Sequence, residues 1–442
     1  MRKYVTILMV LLSFSVFSQS LIQNGPMPGY IDMKAAVVWV QTNKPAEVYI
    51  KYFPKDEQEN IHYSNIVTTG YETALTAHLT ADTLEPGTTY NYELFINGKK
   101  TDLTYPATFT TQKIWKWRGD APDFKFAMGC GAYINETAYD RPGRPYGSDF
   151  QIYDHIADMH PDFFLWLGDN IYLREPDWNT RAGIFHRYSH DRAIPELQKL
   201  LATTHHYAIL DDHDFGPNDS DKSFWNKNET LNAFKLFWAN PSFGVGDLKS
   251  ATTFFSWSDC DFFLLDNRSF RDPNKRIKEN KTELGEEQLQ WLFNNLANSY
   301  GTFKFVVMGG QFLSNSGKYE SYTNYGFEKE RQRIIDYIYE QGIKNVIFLT
   351  GDVHFSEISV LKSDGKPTIW DITSSPLNSG VNTNGDKQPN TLRIPESVIM
   401  EHNFTMLEMT GNRNERTLKV VYYNANGDKL YEQTIKPEKY KH

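Results

Sequence analysis

The sequence is poor in cysteine and has no cluster of positive charge. Its 442 residues include two cysteines, Cys130 and Cys260, which is too few for a disulfide scaffold, although the pair can form one bond in an oxidising compartment. The 46 Lys and Arg residues are outnumbered by 55 Asp and Glu residues, which gives a net charge of −9. The basic residues are scattered, so no binding surface for a long nucleic acid is expected. A phosphate-bearing substrate would need a local feature, most simply a metal ion, to hold it.

Long apolar runs are also scarce, and the one that stands out is Tyr4–Phe17, which follows the basic start MRK. It is shorter than the roughly 20 residues that a membrane-spanning helix needs. The pattern Val16-x-Ser18 is typical of a cleavage site. The sequence therefore predicts a signal peptide over 1–18 rather than a membrane anchor, with export to the periplasm or the extracellular space. No stable membrane insertion is expected after cleavage.

Residues 25–112 are typical of a small all-β domain. Alternating apolar and polar stretches are separated by turn residues, and they read AAVVWVQT, AEVYIKYF, ETALTAHLT, YNYELFING and PATFTT. Short strands at this spacing predict a β-sandwich. The run Leu84–Tyr92 resembles the tyrosine corner of fibronectin type III domains, in which a tyrosine hydroxyl bonds to a nearby backbone group. We expect a fibronectin type III-like domain with a packing role and no chemistry.

The pattern changes after a tryptophan-rich linker at Ile114–Asp120. Strand-like runs then alternate with helical patterns, and the runs are FKFAMGC, DFFLWLGD, HHYAILDDHD, DFFLLDNR, KFVVMGGQ and NVIFLTGDVHF. The clearest helical patterns are SDFQIYDHIADM, ETLNAFKLFWAN, EEQLQWLFNNLAN and EKERQRIIDYIYEQ. This alternation predicts an α/β domain over 121–437.

Chemically active side chains follow the apolar runs of this domain. They are Cys130, Asp169, Asn170, Tyr172, Asp211, Asp212, His213, Asp214, Asp352 and His354. A single acid in such a position is usually a helix cap or a turn residue. Several acids at successive strand ends, however, would repel one another in one cleft unless a cation bound them. Carboxylates together with histidine, cysteine and tyrosine suit a mixed pair of metal ions.

Five segments resemble the alkaline phosphatase D (PhoD-like) branch of the calcineurin-like metallophosphoesterases. They are LGDNIY, AILDDHDFGPND, LDNRSFRDP, LGEEQLQWL and LTGDVHF, and the resemblance covers almost the whole mature chain. It implies a metallophosphoesterase αββα sandwich behind the β domain. It also implies a secreted, metal-dependent phosphoric ester hydrolase that acts on phosphate mono- or diesters.

The same resemblance implies a binuclear or multinuclear metal centre of iron(III) and calcium. The residues that it assigns to iron are Cys130, Asp169, Tyr172 and His354. The residues that it assigns to calcium are Asp169, Asp212, Asn218 and Asp352. Two positions depart from the family pattern: Gly131 follows Cys130 without a second cysteine, and Gln311 lies where an isolated histidine is expected.

Several of these residues also have ordinary structural interpretations. Cys130 can be a buried apolar residue, Tyr172 a packed ring, and Asn218 a turn residue. His205 and His206 precede an apolar strand, and we expect them to be structural.

In the implied mechanism, a metal-bridging hydroxide attacks phosphorus in line. His213, held by Asp214, donates a proton or a hydrogen bond to the leaving group or a phosphoryl oxygen. Arg268 either binds phosphate oxygens or forms a salt bridge to a nearby acid. The aromatic loops 133–146 and 314–325 are expected to cover the site and to bind a leaving group.

Two alternatives to a general phosphatase stay open. One is a phosphodiesterase with a particular extracellular substrate. The other is a secreted binding or adhesion protein whose enzymatic domain is inactive. The presence of Asp169, Asp212, His213, Asp352 and His354 together favours activity, because a decayed site should have lost some of them. No partner protein can be inferred.

Overall fold

The computed structural model describes residues 21–439, so the predicted signal peptide lies outside the described residues. The strands of the N-terminal part are β1 Ile22–Ile31, β2 Ala36–Thr42, β3 Glu47–Pro54, β4 His62–Tyr63, β5 Val67–Thr68, β6 Thr76–Ala81, β7 Thr89–Ile96, β8 Lys99–Lys100 and β9 Thr108–Thr110. One sheet has the order β1-β2-β6, and the other has the order β4-β3-β7-β8, with β5 on β3 and β9 on β7. The described part of the chain therefore starts with the β-sandwich that the alternating pattern predicts.

The sequence predicts one detail of the sandwich and misses another. The Tyr90 hydroxyl accepts a hydrogen bond of 2.8 Å from the backbone N–H of Glu85, which is the local bond that the turn run predicts. The sequence did not predict β1, because Pro26 and Pro28 interrupt it. Proline is tolerated there since β1 is an edge strand whose register shifts. The relationship to fibronectin type III domains stays a prediction.

The second part of the chain contains two six-stranded sheets. The first has the order β12-β11-β10-β19-β20-β21, with the strands β10 Phe124–Gly129, β11 Phe163–Leu167, β12 His205–Ile209, β19 Asn403–Thr410, β20 Thr417–Asn424 and β21 Lys429–Ile435. The second has the order β13-β14-β15-β16-β18-β17, with the strands β13 Thr253–Trp257, β14 Cys260–Leu264, β15 Phe303–Val307, β16 Val346–Thr350, β17 Glu357–Leu361 and β18 Ile369–Thr373. Strands β10, β11 and β12 are parallel, as are β14, β15, β16 and β18.

Stacked aromatic rings fill the space between the two sheets. The Phe126 and Phe163 rings of the first sheet stack at 4.7 Å, and the Phe262 and Phe305 rings of the second stack at 4.8 Å. The Phe126 and Phe262 rings meet edge to face at 5.4 Å across the sheets, a favoured aromatic geometry. Much of the chain's aromatic content therefore holds the two sheets together.

Helices cover the outer faces of both sheets. They are α1 Gln151–Asp158, α2 Arg181–Asp191, α3 Pro195–Thr203, α4 Asp212–Phe215, α5 Lys227–Phe237, α6 Glu286–Asn298 and α7 Glu328–Glu340. Helices α1, α2, α3 and α5 pack on the first sheet, and α6 and α7 pack on the second. The layers are thus α, β, β and α, which confirms the predicted αββα sandwich.

The four predicted helices correspond to α1, α5, α6 and α7, whereas α2 and α3 were not predicted. Helix α2 turns Arg187 and Asp191 inward, and both residues are buried. An inward Arg187 is balanced by Asp177, whose carboxylate lies 3.0 Å from its Nε. Because these inward positions carry charged residues, the sequence of α2 lacks the regular spacing of apolar residues by which a helix is recognised.

The two cysteines do not form a disulfide bond. Cys130 and Cys260 are both free and buried. Cys260 begins β14, in line with its expected place in a strand. The alternative of one disulfide bond is therefore not realised in this structure.

Within residues 21–439, no helix is both long and apolar enough to cross a membrane.

The sandwich packs directly on the first sheet of the α/β domain. The backbone N–H of Tyr30 donates to the carbonyl oxygen of Ala239 at 2.8 Å. The buried Arg192 guanidinium lies 4.4 Å from the ring of Trp39 and 4.4 Å from that of Trp238. Cation–π contacts of this kind gain strength when desolvated. One arginine thus joins a ring from each domain.

We expect the variant Trp39→Ala to lower the free energy of unfolding by about 3–5 kcal/mol, because Trp39 is fully buried at this interface. Thermal unfolding followed by circular dichroism measures the effect. Trp117→Ala is the matched control, since Trp117 is 98% exposed, and it should unfold like the wild type. Equal unfolding temperatures for Trp39→Ala and the wild type would contradict a stabilising role of the interface.

Candidate active site

The chemically active residues lie at the carboxyl ends of parallel strands from both sheets. Cys130 follows β10, Asp169 follows β11, Asp212 follows β12, and Asp352 follows β16. Asp169, Asp352 and His354 hold left-handed backbone conformations, with φ of 49°, 63° and 60°. Such conformations cost about 1–3 kcal/mol each and are concentrated at functional sites.

Asp212 lies at the centre of the acidic cluster. Its carboxylate takes part in three groups of potential ligand atoms, and the atoms of each group lie within 4.8 Å of one another. The groups are Asp169, Asp212 and His213; Asp211, Asp212 and Asp352; and Asp212, Asp219 and Glu320. The structure therefore brings the acids of four separate chain segments together.

Among the buried polar atoms of this cluster that have no hydrogen-bond partner within the described chain are Oδ1 of Asp169, Oδ2 of Asp211, Oδ1 of Asp212 and Nδ1 of His213. Buried polar atoms are nearly always satisfied, so orphaned carboxylate oxygens that converge on one point fit a bound cation. Because no hydrogen-bond donor meets these carboxylate oxygens, the acids fit a bound cation, whereas Cys130 and His354 belong to none of the groups of close ligand atoms found among the described residues.

The pKa values of the acids also fit a bound cation. Burial and the neighbouring carboxylates of Asp212 and Asp211 raise the pKa of Asp169 well above its ordinary value. Burial and the charges of Asp211 and Glu320 do the same to the pKa of Asp352. The pKa of Asp212 is lowered, since His213 and Arg268 outweigh the effect of burial. A cation would stabilise the ionised form of every acid in the cluster.

Cys130 and Tyr172 lie next to these acids. The sulfur of Cys130 accepts a hydrogen bond of 3.2 Å from the backbone N–H of Asp352. The Tyr172 hydroxyl donates to Oδ2 of Asp169 at 2.9 Å. Burial, followed by the charge of Asp169, raises the pKa of both groups well above the usual values. A strong Lewis acid would be needed to deprotonate them.

His354 is oriented by hydrogen bonds at one ring nitrogen. Nδ1 lies 2.6 Å from the carbonyl oxygen of Gly380 and 3.1 Å from Oγ of Ser379. The carbonyl contact assigns the proton to Nδ1. Nε2, which is 3.4 Å from the Tyr146 hydroxyl, is then the acceptor. Metal-binding histidines in proteins are typically oriented in this way.

The hypothesis that Asp214 holds His213 is wrong. The Asp214 carboxylate accepts hydrogen bonds from the backbone N–H groups of Asp211, at 2.9 Å, and Asn170, at 3.2 Å. Asp211 and Asp214 form a reciprocal capping box at the start of α4. Asp214 thus joins two strand-end loops. An acid at the N-cap and another three residues later is the sequence signal for this role.

His213 packs on Tyr172 instead. The two ring centroids are 4.3 Å apart, and His213 lines the cleft described below. Burial lowers the pKa of His213, although the charge of Asp212 opposes this effect. The imidazole is therefore neutral near neutral pH.

Arg268 forms salt bridges and does not reach the cleft. It is fully buried, its Nε donates to Asp211, and its Nη2 lies 2.5 Å from Glu320. Its Nη1 donates to the carbonyl oxygen of Ser220 at 3.3 Å. Of the two interpretations of Arg268, the salt bridge is the one observed. The role in binding phosphate oxygens was wrong, because acids surround the guanidinium and keep it from a substrate.

Sequence reasoning missed two carboxylates of the cluster, Asp219 and Glu320. The predicted ligand Asn218 is exposed and lines the cleft, and its Nδ2 donates to Oδ1 of Asp219 at 2.9 Å. Asp219 directly follows Asn218 and belongs to the same motif, AILDDHDFGPND. Glu320 follows no strand, and no sequence signal marked it.

The remaining polar residues have structural partners. The Nε2 of Gln311 donates to Glu357 at 2.8 Å, away from the cleft. The Nδ2 of Asn170 donates to the carbonyl oxygen of Ile209 at 2.7 Å. His205 contacts the carbonyl oxygen of Gly29, and His206 accepts from the indole of Trp166. The two histidines are structural, as expected.

The acidic cluster forms the base of an open cleft of about 490 Å³. Its lining includes Asp212, His213, Asn218, Asp219, Glu320, Asp352 and His354. Three tyrosines, Tyr146, Tyr319 and Tyr325, also line it, and they come from the two loops expected to cover the site. None of the described lining residues is a lysine or an arginine. The cleft is large enough for a small organic ester.

Known proteins share the sequence pattern and the fold of this chain. A family model described as PhoD-like phosphatase matches residues 126–427, and one described as a domain of unknown function (DUF7800) matches residues 19–114. Alkaline phosphatase D of Bacillus subtilis (strain 168) is 27% identical over 375 residues, which cover 71% of this chain. The chain spans 59% of the length of that relative.

Two solved structures share the fold. The structure of PhoD superposes with a TM-score of 0.75 at 18% identity, covering 95% of this chain and 93% of the other. Purple acid phosphatase PPD1 from yellow lupin (Lupinus luteus) seeds gives a TM-score of 0.67 at 13% identity, covering 94% and 75%. Since the family model matches well over half of the sequence, the chain belongs to the PhoD-like phosphatase family.

Proposed function

We propose that this protein is a metal-dependent phosphoric ester hydrolase. The observation that carries the proposal is the convergence of buried carboxylates at strand ends, where Oδ1 of Asp169 and Oδ1 of Asp212 have no hydrogen-bond partner in the described chain. Membership of the PhoD-like phosphatase family and the similarity to alkaline phosphatase D support it. An inactive binding protein is disfavoured, because Asp169, Asp212, His213, Asp352 and His354 are all present, and Asp169 and Asp352 each lie close to Asp212.

Iron(III) and calcium are the metals that we propose for the centre. Cys130, Tyr172, Asp169 and His354 would hold iron, since thiolate, phenolate and imidazole suit a strong Lewis acid. Calcium prefers hard oxygens, and its ligands would be Asp169, Asp212, Asn218 and Asp352, with Asp219 and Glu320 nearby. When bound, the cations would neutralise phosphoryl oxygens and lower the pKa of water enough to make it a nucleophile.

His213 is the residue that we propose to act on the ester itself. Its imidazole is neutral near neutral pH and lies in the cleft beside Asp212. A neutral imidazole can donate one hydrogen bond to a phosphoryl oxygen or a leaving group. Tyr172, rather than Asp214, holds the ring in place.

One observation favours phosphodiesters within this reaction class. The described lining of the cleft contains four carboxylates and no lysine or arginine. A diester phosphate carries one negative charge, whereas a monoester carries up to two near neutral pH. Bound cations would have to neutralise the additional charge without help from the protein.

We also propose export, on the sequence pattern of residues 1–18. In a host that secretes the protein, mass spectrometry should find an N-terminus near Gln19. Replacing Leu11 and Leu12, within the apolar run, by aspartate should retain the protein inside the cell. Secreted wild-type material with Met1–Phe17 intact would contradict cleavage.

Metal removal is the direct test of the proposed reaction. Dialysis against a chelator should abolish hydrolysis of 4-nitrophenyl phosphate and of bis(4-nitrophenyl) phosphate, and iron with calcium should restore it. Elemental analysis of the untreated protein identifies the metals, and the two rates give the preference for mono- or diester. Full activity after thorough metal removal would disprove metal dependence.

Asp169 and His213 should differ in their effect on metal content. Asp169→Ala should lose metal and activity together, because we assign Asp169 to both of the proposed metals. His213→Ala should keep most of the metal and lose about a hundred- to ten-thousandfold in rate, with a smaller loss for a nitrophenyl ester than for an alkyl ester. Elemental analysis with kcat and KM checks both. Equal metal loss would make His213 a ligand, which its place beside Asp169 and Asp212 allows.

A further inference from the structure

Three tyrosine side chains at the cleft are exposed. Tyr146 is 45% exposed, Tyr319 is 50% exposed and Tyr325 is 41% exposed. Single exposed aromatic residues are common on protein surfaces. Three at the opening of one acidic cleft form an apolar area that a bound molecule can cover.

The backbone at two of these residues is strained. Tyr319 and Tyr325 have φ of 50° and 57°, in the left-handed region that bulky residues avoid. Glycine or asparagine would adopt this conformation at lower cost. Because about half of each ring is exposed, core packing does not account for the choice of tyrosine. Strain of this kind is typical of ligand-binding segments.

The loop that carries them is fixed by the residues between them. The Tyr322 hydroxyl donates to Oε1 of Glu330 at 2.9 Å, and Glu320 pairs with Arg268. The Nζ of Lys281 donates to the carbonyl oxygen of Tyr325 at 2.6 Å. The rings are therefore presented from an ordered backbone, which lowers the entropy cost of binding.

Tyr146 is held in place by contacts on its own loop and beyond. Its ring meets the rings of Tyr133 and Tyr172 edge to face, at 5.0 Å and 6.0 Å. Gly380 leaves room for it, because a Cβ there would lie 2.6 Å from the Tyr146 ring. Tyr146 thus lies beside the proposed iron ligands.

Charge limits what these rings can bind. The cleft presents Asp212, Asp219, Glu320 and Asp352, and its described lining contains no lysine or arginine. A second anionic group on the ester would be repelled. Tyrosine offers a broad, rigid contact face to a flat ring at little entropy cost.

We infer that Tyr146, Tyr319 and Tyr325 form a subsite for an uncharged ring, so that the substrate class is a phosphate ester of a ring-bearing alcohol. This inference rests on the proposed function and names the part of the substrate that lies beyond the phosphoryl group. It makes the three tyrosines specificity-determining residues.

Benzyl and ethyl phosphate esters test the subsite, because their leaving alcohols are similar in acidity. The assays use the metal-loaded protein and the type of ester, mono- or diester, that it hydrolyses. Tyr319→Ala and Tyr325→Ala should raise KM for the benzyl ester about five- to fiftyfold. KM for the ethyl ester should change by less than about twofold. Tyr319→Phe and Tyr325→Phe should retain the wild-type preference. Tyr300→Ala is the matched control, since Tyr300 is 93% exposed and precedes β15 at its opposite end.

Calorimetric binding of benzylphosphonate and ethylphosphonate, which are not hydrolysed, separates this inference from the proposed function. The wild type should bind the benzyl compound more tightly, and the two alanine variants should lose the difference. A protein that hydrolyses no ester but keeps this preference would disprove the proposed function and support the subsite. Equal binding of both phosphonates by the wild type, or equal KM changes for both esters in the variants, would overturn the subsite.

Discussion

The repulsion among carboxylates at the strand ends is the constraint on which the rest of the site depends. Asp169, Asp211 and Asp212 are buried there beside Asp352, and charges in such surroundings interact strongly. Behind the cluster, the buried Arg268 neutralises Asp211 and Glu320. On the cleft side, the described lining contains no lysine or arginine, and it includes Asp212, whose Oδ1 has no hydrogen-bond partner in the described chain. Protein cations therefore neutralise only part of the negative charge of the site, and a metal centre would supply the remaining positive charge.

The architecture explains how so many acids can be kept together. No single segment supplies the cluster, because β10, β11, β12 and β16 each contribute a strand end from one of two facing sheets. The aromatic core between the sheets fixes their separation. Left-handed backbone at Asp169, Asp352 and His354 then turns the chain sharply after β11 and β16. The stability of the packed sheets offsets both the strain and the repulsion.

Local signals allowed the α/β character and the position of the acids at strand ends to be predicted, and the resemblance to a known family added the αββα layers. Contacts between distant segments carried no such signal. Glu320 lies in an irregular loop, and the pairing of Arg268 with Asp211 joins residues 57 positions apart. Asp214 was assigned to chemistry although its spacing from Asp211 is that of a capping box. Helix α2 was hidden because its inner face carries the charged residues Arg187 and Asp191.

The N-terminal sandwich supports the strand that leads to the centre of the site. The Tyr207 hydroxyl, within β12, accepts a hydrogen bond from the backbone of Ile31 in β1. Arg192, just after α2, lies between the rings of Trp39 and Trp238. Strand β12 runs from this interface directly to Asp211 and Asp212. A sandwich without polar catalytic groups thus still contributes to the chemistry, since the position of Asp212 depends on how firmly β12 is held.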